Sequence, residues 1–398
     1  MSRQIQDAYI VAAQRTPVGK APRGYFRNTR PDDLLAHALR AAVAAAPGID
    51  PSRIDDAIIG CAMPEGEQGM NVARIAVLLA GLPNTVSAMT INRFCSSGSQ
   101  AVALAADKIR LGEADLMLAG GTESMSMVPM MGAKPAFNPN VFRDENIAIA
   151  YGMGITAENV ADQWKVSRED QDQFAYASHQ KAIAAIEAGE FAAEIAKFTL
   201  DDRYPDLAKG TTRSDTRVVD RDEGPRKDTN FDALLKLKPA FKAGGSVTAG
   251  NSSQMSDGAG AVLLASEKAI KDYGLKPLAR WVGSAVAGVP PEIMGIGPKE
   301  AIPKVCRQTG ISLSSLDWIE LNEAFAAQAL AVIRDSGLDP SKVNPLGGAI
   351  ALGHPLGATG AIRVATLVHG LQRRQQKYGM VTMCIGTGMG YAGILERV

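Results

Sequence analysis

Two cysteines and one histidine sit in separate glycine-rich stretches of this 398-residue chain. Cys95 lies in Asn92-Arg93-Phe94-Cys95-Ser96-Ser97-Gly98. His354 lies in Gly353-His354-Pro355-Leu356-Gly357-Ala358-Thr359-Gly360, and Cys384 opens Cys384-Ile385-Gly386-Thr387-Gly388-Met389-Gly390. Glycine lets backbone and substrate approach closely. A cysteine, a histidine and a second cysteine can supply a nucleophile, its base and a separate acid. That set suits making or breaking a carbon–carbon bond beside a thioester.

Cys95 follows a predicted strand over 86–91 and opens a predicted helix. A helix N-terminus favours negative charge and lowers a thiol's pKa toward the reactive thiolate. The bland alternative is a buried structural cysteine. Cys61, which ends an apolar strand, and Cys306, on a helical apolar face with Ile302 and Val305, fit that alternative better. His37, His179 and His369 fall within helical stretches, whereas His354 lies in a glycine-rich turn before a proline at the predicted helix N1. Gly388, Gly390 and Gly393 spell G-x-G-x-x-G. The dinucleotide fingerprint must open a helix within a βαβ unit, and only five residues follow Gly393. The loop reads better as backbone N–H groups and a thiol around a reacting centre. Asn322, in Asn322-Glu323-Ala324-Phe325-Ala326, can cap a helix, or hold a water or an oxyanion. Neither Cys-x-x-Cys nor His-x-x-x-His occurs, so no metal site is expected.

The elements that must position these residues come twice. Residues 48–55 line up with 310–317. Each segment follows a predicted helix, 32–45 and 298–308, and leads into a short apolar strand, 57–59 and 318–321. At nearly the same offset Cys95 falls on His354. A helix follows each, with apolar residues at 101, 102, 105 and 109, and at 361, 362, 364, 365 and 368. Each helix then leads to an apolar strand ending in glycine, 116–121 and 381–386. Alternating strands and helices argue for a layered α/β architecture, and a duplicated half accounts for the offset. Residues 125–246 differ and read as an inserted loop domain. It opens on Met125, Met127, Met130 and Met131 and carries helices over 156–164 and 168–188, the second capped by Ser167. A polar stretch follows over 201–230. Segments 247–251 and 261–265 are expected to return to the first half's sheet.

Composition narrows the function classes. The chain is 46% hydrophobic and 21% charged, as in an ordinary globular protein. Its 42 basic and 42 acidic residues cancel, which argues against nucleic acid or a membrane surface as partner. Apolar runs fall short of the roughly 18 residues of a membrane span. The start lacks the apolar core of a signal peptide, and Leu395-Glu396-Arg397-Val398 is no peroxisomal or retention signal. Four cysteines are too few for a disulfide framework, so free thiols in a reducing cytoplasm are expected.

Together the four motifs resemble those of the thiolase family. Asn-Arg-Phe-Cys-Ser-Ser-Gly is similar to its nucleophile motif, and Asn-Glu-Ala-Phe-Ala, Gly-His-Pro-x-Gly-Ala-Thr-Gly and Cys-Ile-Gly-Thr-Gly-Met-Gly to its other three signatures. The likeness extends to 119–125 and 247–251 and covers essentially the whole chain. It implies the thiolase fold: two duplicated βαβαβ-type halves forming a five-layered αβαβα core. The halves would be 1–124 with 247–272, and 273–398, with the loop domain at 125–246. It implies Cys95 as nucleophile, Cys384 as acid and base, His354 as activator of Cys95, and Asn322 as holder of a catalytic water. The N–H groups of Cys95 and Gly386 would form an oxyanion hole. Coenzyme A would be a substrate rather than a resident cofactor, with Ser253, Met153 and Phe325 toward its pantetheine, Arg226 toward its adenine, and Ala249 a further contact. A homodimer or homotetramer is implied.

Gly152 stands where biosynthetic members usually carry a histidine, and Gly-Thr-Gly follows Cys384 where they tend to read Gly-Gly-Gly. Both features resemble degradative members, which cleave 3-ketoacyl-CoA with CoA to acetyl-CoA and a shortened acyl-CoA through an acyl-enzyme. The alternatives are a biosynthetic member condensing two acetyl-CoA, and a non-catalytic binding protein on the same fold. A ketoacyl synthase pairs its cysteine with two histidines, which Cys384 argues against.

Overall fold

The structure is a computed structural model and describes residues 5–398. The expectation about the chain's start falls partly on residues 1–4, which lie outside the described residues.

The first half begins with strand β1 (Ala8–Arg15), a two-residue strand β2 (Gly19–Lys20) and helix α1 (Pro31–Ala44). Proline at the helix start and Asp32 and Asp33 in the first turn suit an N-terminus. Strands β3 (Asp56–Gly60), β4 (Ser87–Ile91) and β5 (Leu116–Ser124) alternate with helices α2 (Val72–Leu79) and α3 (Ser97–Arg110). All 9 residues of β5 are buried, as expected of a strand covered on both faces.

The intervening region carries helices α4 (Met153–Trp164) and α5 (Arg168–Glu187), and Ser167 Oγ accepts from the Asp170 N–H at the start of α5. The polar stretch, for which the sequence pattern indicated no element, has regular structure. It folds largely as an antiparallel hairpin, β6 (Phe198–Asp206) and β7 (Thr211–Val219). Most of its side chains are exposed, so it lacks the apolar alternation by which a half-buried strand is read. Helix α6 (Phe231–Leu235) follows. Residues 247–251 do not join the first sheet either. The Val247 N–H donates to Glu158 at the end of a tight turn, and the Ser253 N–H donates to Ala324 O of the second half. The returning strand is β8 (Ser256–Ser266).

Helix α7 (Glu267–Tyr273) leads to β9 (Ala279–Gly288), α8 (Gly297–Thr309), β10 (Trp318–Leu321) and α9 (Ala326–Asp335). A short α10 (Ala349–Leu352), the long α11 (Leu356–Arg374) and strands β11 (Tyr378–Ile385) and β12 (Met389–Arg397) complete the chain.

Strand order reveals the duplication. The first half runs β4-β3-β5-β8-β1, with β3 parallel to both neighbours and β8 antiparallel to both of its own. The second runs β10-β11-β12-β9, with β10 parallel to β11 and β12 antiparallel to both neighbours. A parallel bridge between Ile319 and Val343 stands where β4 stands in the first half. The two sheets meet only where β1 pairs with β9, at Tyr9–Arg280 and Ile10–Ala279. Helices α3 and α11 pack on each other between the sheets. Helices α1 and α2 cover the outer face of the first sheet, and α8 and α9 that of the second. The result is the five-layered αβαβα core that the resemblance implied.

The glycines beside Cys95 and His354 serve this central layer. A Cβ on Gly98 would lie 2.6 Å from the Ala361 nitrogen, and one on Gly360 would collide with the Ser99 nitrogen. They let α3 and α11 cross at close range, which brings two distant stretches of sequence to one place. Among the described residues no helix is long and apolar enough to cross a membrane.

Candidate active site

Cys95 sits on a single 3-10 turn, Phe94–Ser96, just ahead of α3. Neighbouring polar side chains build that turn. Asn92 Oδ1 accepts from the Phe94 N–H at 2.8 Å, and Ser97 Oγ accepts from the Arg93 N–H at 2.8 Å. Phe94 has φ of 43°, a left-handed conformation costly for an aromatic residue, which these bonds offset.

His354 follows Gly353, whose φ of 95° turns the chain sharply out of α10. Its N–H reaches Ser256 Oγ at 3.1 Å. Pro355 is the N-cap of α11, not its first helical residue as expected. Imidazole Nδ1 lies 2.7 Å from Thr359 Oγ1, and Nε2 lies 3.3 Å from Asn322 Nδ2.

Asn322 does not cap a helix, because Phe325 holds that place before α9. It leaves the end of β10, where the Asn344 side chain imitates a neighbouring strand. Asn344 Oδ1 accepts from the Leu321 N–H at 2.9 Å, and its Nδ2 donates to Leu321 O and Glu323 Oε1, each at 2.8 Å. Asn322 Oδ1 is buried without a protein partner. It is therefore free to accept from a water.

Cys384 lies near the end of β11, whose turn into β12 uses Thr387 (φ 65°) and Gly388 (φ 89°). The Gly386 N–H in this turn and the N–H of Cys95 itself lie close enough to the Cys95 sulfur to lower its pKa. The two expected oxyanion donors thus converge on one atom.

Cys95, His354, Cys384 and Gly386 line one cavity of about 280 Å³, together with Met153, Ser253 and Phe325. Asn322 stands behind His354. Arg226 and Ala249 fall outside the cavity lining: both are exposed, and Arg226 is paired with Asp228 at 3.2 Å. Sequence reasoning missed most of the remaining wall, which includes Met63, Met130, Met131, Phe137 and Met294. The methionine cluster near 125–131 was its only signal. It also assigned no role to Glu123. This fully buried carboxylate accepts from the N–H groups of Ala62 and Gly357, each at 2.8 Å, and of Met63 at 3.2 Å. It thereby locks a wall loop of the first half to the helix that follows His354. Among the described residues no group of three or more His, Cys, Asp or Glu could hold a metal ion.

Burial sets the charge state. The Cys95 thiol is pushed up to about 11 by desolvation, against the two N–H donors that lower it. This reverses the expected depression: a helix N-terminus loses to the cost of an anion in an apolar cavity. Burial also pushes Cys384 up, and charge on neighbouring Cys95 would push it further. His354 is held down to about 3, by burial and then by the Arg363 guanidinium. At neutral pH both thiols are protonated and the imidazole is neutral. Iodoacetamide should therefore alkylate Cys95 ever faster from about pH 7 to about pH 10, following the rising thiolate fraction. A rate already saturated at neutral pH would reveal a preformed thiolate–imidazolium pair instead.

Comparison with known proteins gives the family and the fold. Residues 8–268 match the thiolase N-terminal domain and residues 275–397 the thiolase C-terminal domain. The chain is 50% identical over 394 residues to a 3-ketoacyl-CoA thiolase of Bacillus subtilis, covering 98% of this chain and 100% of that one. It is 46% identical over 411 residues to a beta-ketoadipyl-CoA thiolase of Acinetobacter baylyi, covering 99% and 100%. The crystal structure of the Bacillus anthracis acetyl-CoA acetyltransferase superposes with a TM-score of 0.90 at 40% identity, covering 100% of each chain.

Proposed function

The chain belongs to the thiolase family and is an acyltransferase, and from that premise we propose that it cleaves 3-ketoacyl-CoA with CoA, in acyl-CoA degradation. One observation carries the reading: two thiols and an imidazole share a cavity whose other walls are methionine, aromatic, aliphatic and small residues.

The Cys95 thiol passes its proton to His354 Nε2 as its sulfur attacks the 3-keto carbon. The C2–C3 bond breaks, leaving the acyl group on Cys95 and the enolate of acetyl-CoA. The His354 Nε2–H and a water held by Asn322 stabilise the enolate oxygen. The Cys384 thiol protonates C2, and acetyl-CoA departs. A second CoA then attacks the acyl-enzyme, its thiol proton going to the Cys384 thiolate. The N–H groups of Cys95 and Gly386 hold the tetrahedral oxyanion. Cys95 leaves as thiolate and recovers its proton from His354. Ser253, Met153 and Phe325 would flank the pantetheine. Arg226 and Ala249 would meet the part of CoA beyond the cavity mouth. The four free cysteines support a reducing compartment, the cytoplasm, for the reaction. Association into homodimers or homotetramers is supported by exposed Met70, Leu78, Leu79 and Met89 on and around the edge strand β4.

The wall also bears on the acyl group. A terminal carboxylate, as on a dicarboxylic acyl chain, would be buried against thioethers and rings at a cost of several kcal/mol. An uncharged chain would instead bury methylenes, each worth about 0.8 kcal/mol. Gly152 lines this cavity, and a Cβ there meets nothing within 4 Å. kcat/KM should therefore rise from acetoacetyl-CoA to 3-ketohexanoyl-CoA, by about tenfold for two methylenes. Gly152→His should erode that gain by filling the space. A protein that prefers acetoacetyl-CoA and ignores Gly152→His would favour the biosynthetic reading, since Met130, Met131 and Phe137 would then already close the tunnel.

A further inference from the structure

Thr359 is buried in the first turn of α11, and its Oγ1 lies 2.7 Å from His354 Nδ1. On the other side of the ring Asn322 Nδ2 lies 3.3 Å from Nε2. As placed, the Asn322 amide turns its nitrogen to Nε2 and leaves Oδ1 without a protein partner; an amide nitrogen only donates, so in this arrangement Nε2 presents its lone pair. The single proton of the neutral ring then sits on Nδ1, and Nδ1–H donates to the Thr359 hydroxyl.

We propose that Thr359 is the positioning residue that, by accepting from Nδ1–H, holds His354 in its Nδ1–H tautomer, so that the Nε2 lone pair, shared at rest with Asn322 Nδ2 at 3.3 Å, is available for the Cys95 proton. This rests on the reading of His354 as that base. In the opposite tautomer Nε2 would carry a hydrogen and could accept nothing from the thiol. Once Nε2 has taken the proton, both ring nitrogens donate: Nδ1–H still to Thr359, and Nε2–H to the enolate oxygen. One hydroxyl thus serves both steps without moving. The partner's chemistry matters as well. A carboxylate at Nδ1 would stabilise the imidazolium and favour a preformed ion pair. A neutral hydroxyl orients the ring without charging it, in keeping with the burial and the Arg363 charge that hold His354 neutral.

The test is nitrogen NMR of the full-length protein with labelled histidine, the His354 signals being those lost in His354→Gln. In the wild type, Nδ1 should show the shift of a protonated ring nitrogen and Nε2 that of an unprotonated one. Thr359→Val should mix or reverse the two signals and lower kcat for thiolysis by about 10–100-fold, as loss of an outer partner does for metal-bound imidazoles, with KM little changed. Thr359→Ser, which keeps the hydroxyl, should restore both. A protonated Nε2 in the wild type overturns the proposal, as does a valine variant with unchanged signals and rate, or a serine variant no better than valine. If Thr359→Val does not fold, the wild-type spectrum alone decides. The Nδ1–H tautomer in a protein without thiolysis would uphold the tautomer and overturn the function.

Discussion

Cys95→Ser should lose thiolysis by on the order of 10⁴-fold or more while folding normally. Serine has the same shape, so the turn built by Asn92 and Ser97 has no cause to change. The chemistry changes greatly. A hydroxyl ionises far less readily than a thiol, and this cavity already resists an anion strongly enough to push the thiol up to about 11. The two N–H donors that converge on the sulfur cannot make up that difference. An acyl group trapped on the wild-type protein and located by digestion and mass spectrometry should map to Cys95. A label on Cys384 would reverse the two roles, and an active Cys95→Ser with a native melting curve would remove the acyl-enzyme altogether.

Cys384→Ala should separate two steps that the wild type joins. Attack by Cys95 needs a base, whereas the enolate needs an acid at C2, and burial keeps Cys384 protonated for the second task. The variant should still accept an acyl group on Cys95 from an activated acyl-CoA. It should exchange the C2 protons of acetyl-CoA with deuterated solvent about 10²–10⁴-fold more slowly, the usual worth of a positioned acid or base. Deuterium exchange at the wild-type rate would place the proton shuttle elsewhere. His354 is the other candidate, but in this mechanism its Nε2 is already engaged in taking and returning the Cys95 proton.

Much of the site could be read from residue order because its chemistry is local. A nucleophile on a turn needs small and turn-forming neighbours, and these surround Cys95 in sequence as they do in space. A helix and the glycine-ended strand that follows it recur in both halves, so the duplication was visible before the sheets were. The strand order then repeated it, down to the bridge at Val343 that stands for β4. Other features were invisible for a physical reason. The hairpin β6–β7 meets no core, so it lacks the apolar alternation that marks a buried strand. The segment at 247–251 carries small polar residues that would suit a strand end, yet its partners are Glu158 and the 324–326 loop.

Residue types and their spacing were enough to single out the two thiols, the imidazole and the asparagine as candidates, because each occupies a short motif with its own turn chemistry, while the resemblance implied their separate roles. Their charge states were not in the motif. Helix position argued for a lowered Cys95 pKa, and burial reversed it, since desolvation depends on every wall residue and those come from separate parts of the chain. Glu123 and Thr359 likewise become meaningful only when folded. Glu123 joins Ala62 to Gly357 across the two halves, and Thr359 reaches back over the first turn of α11 to the ring of His354. Sequence carries which groups are available. Only the crossing of α3 and α11, close enough to require Gly98 and Gly360, decides which of them face one another and with how little water between them.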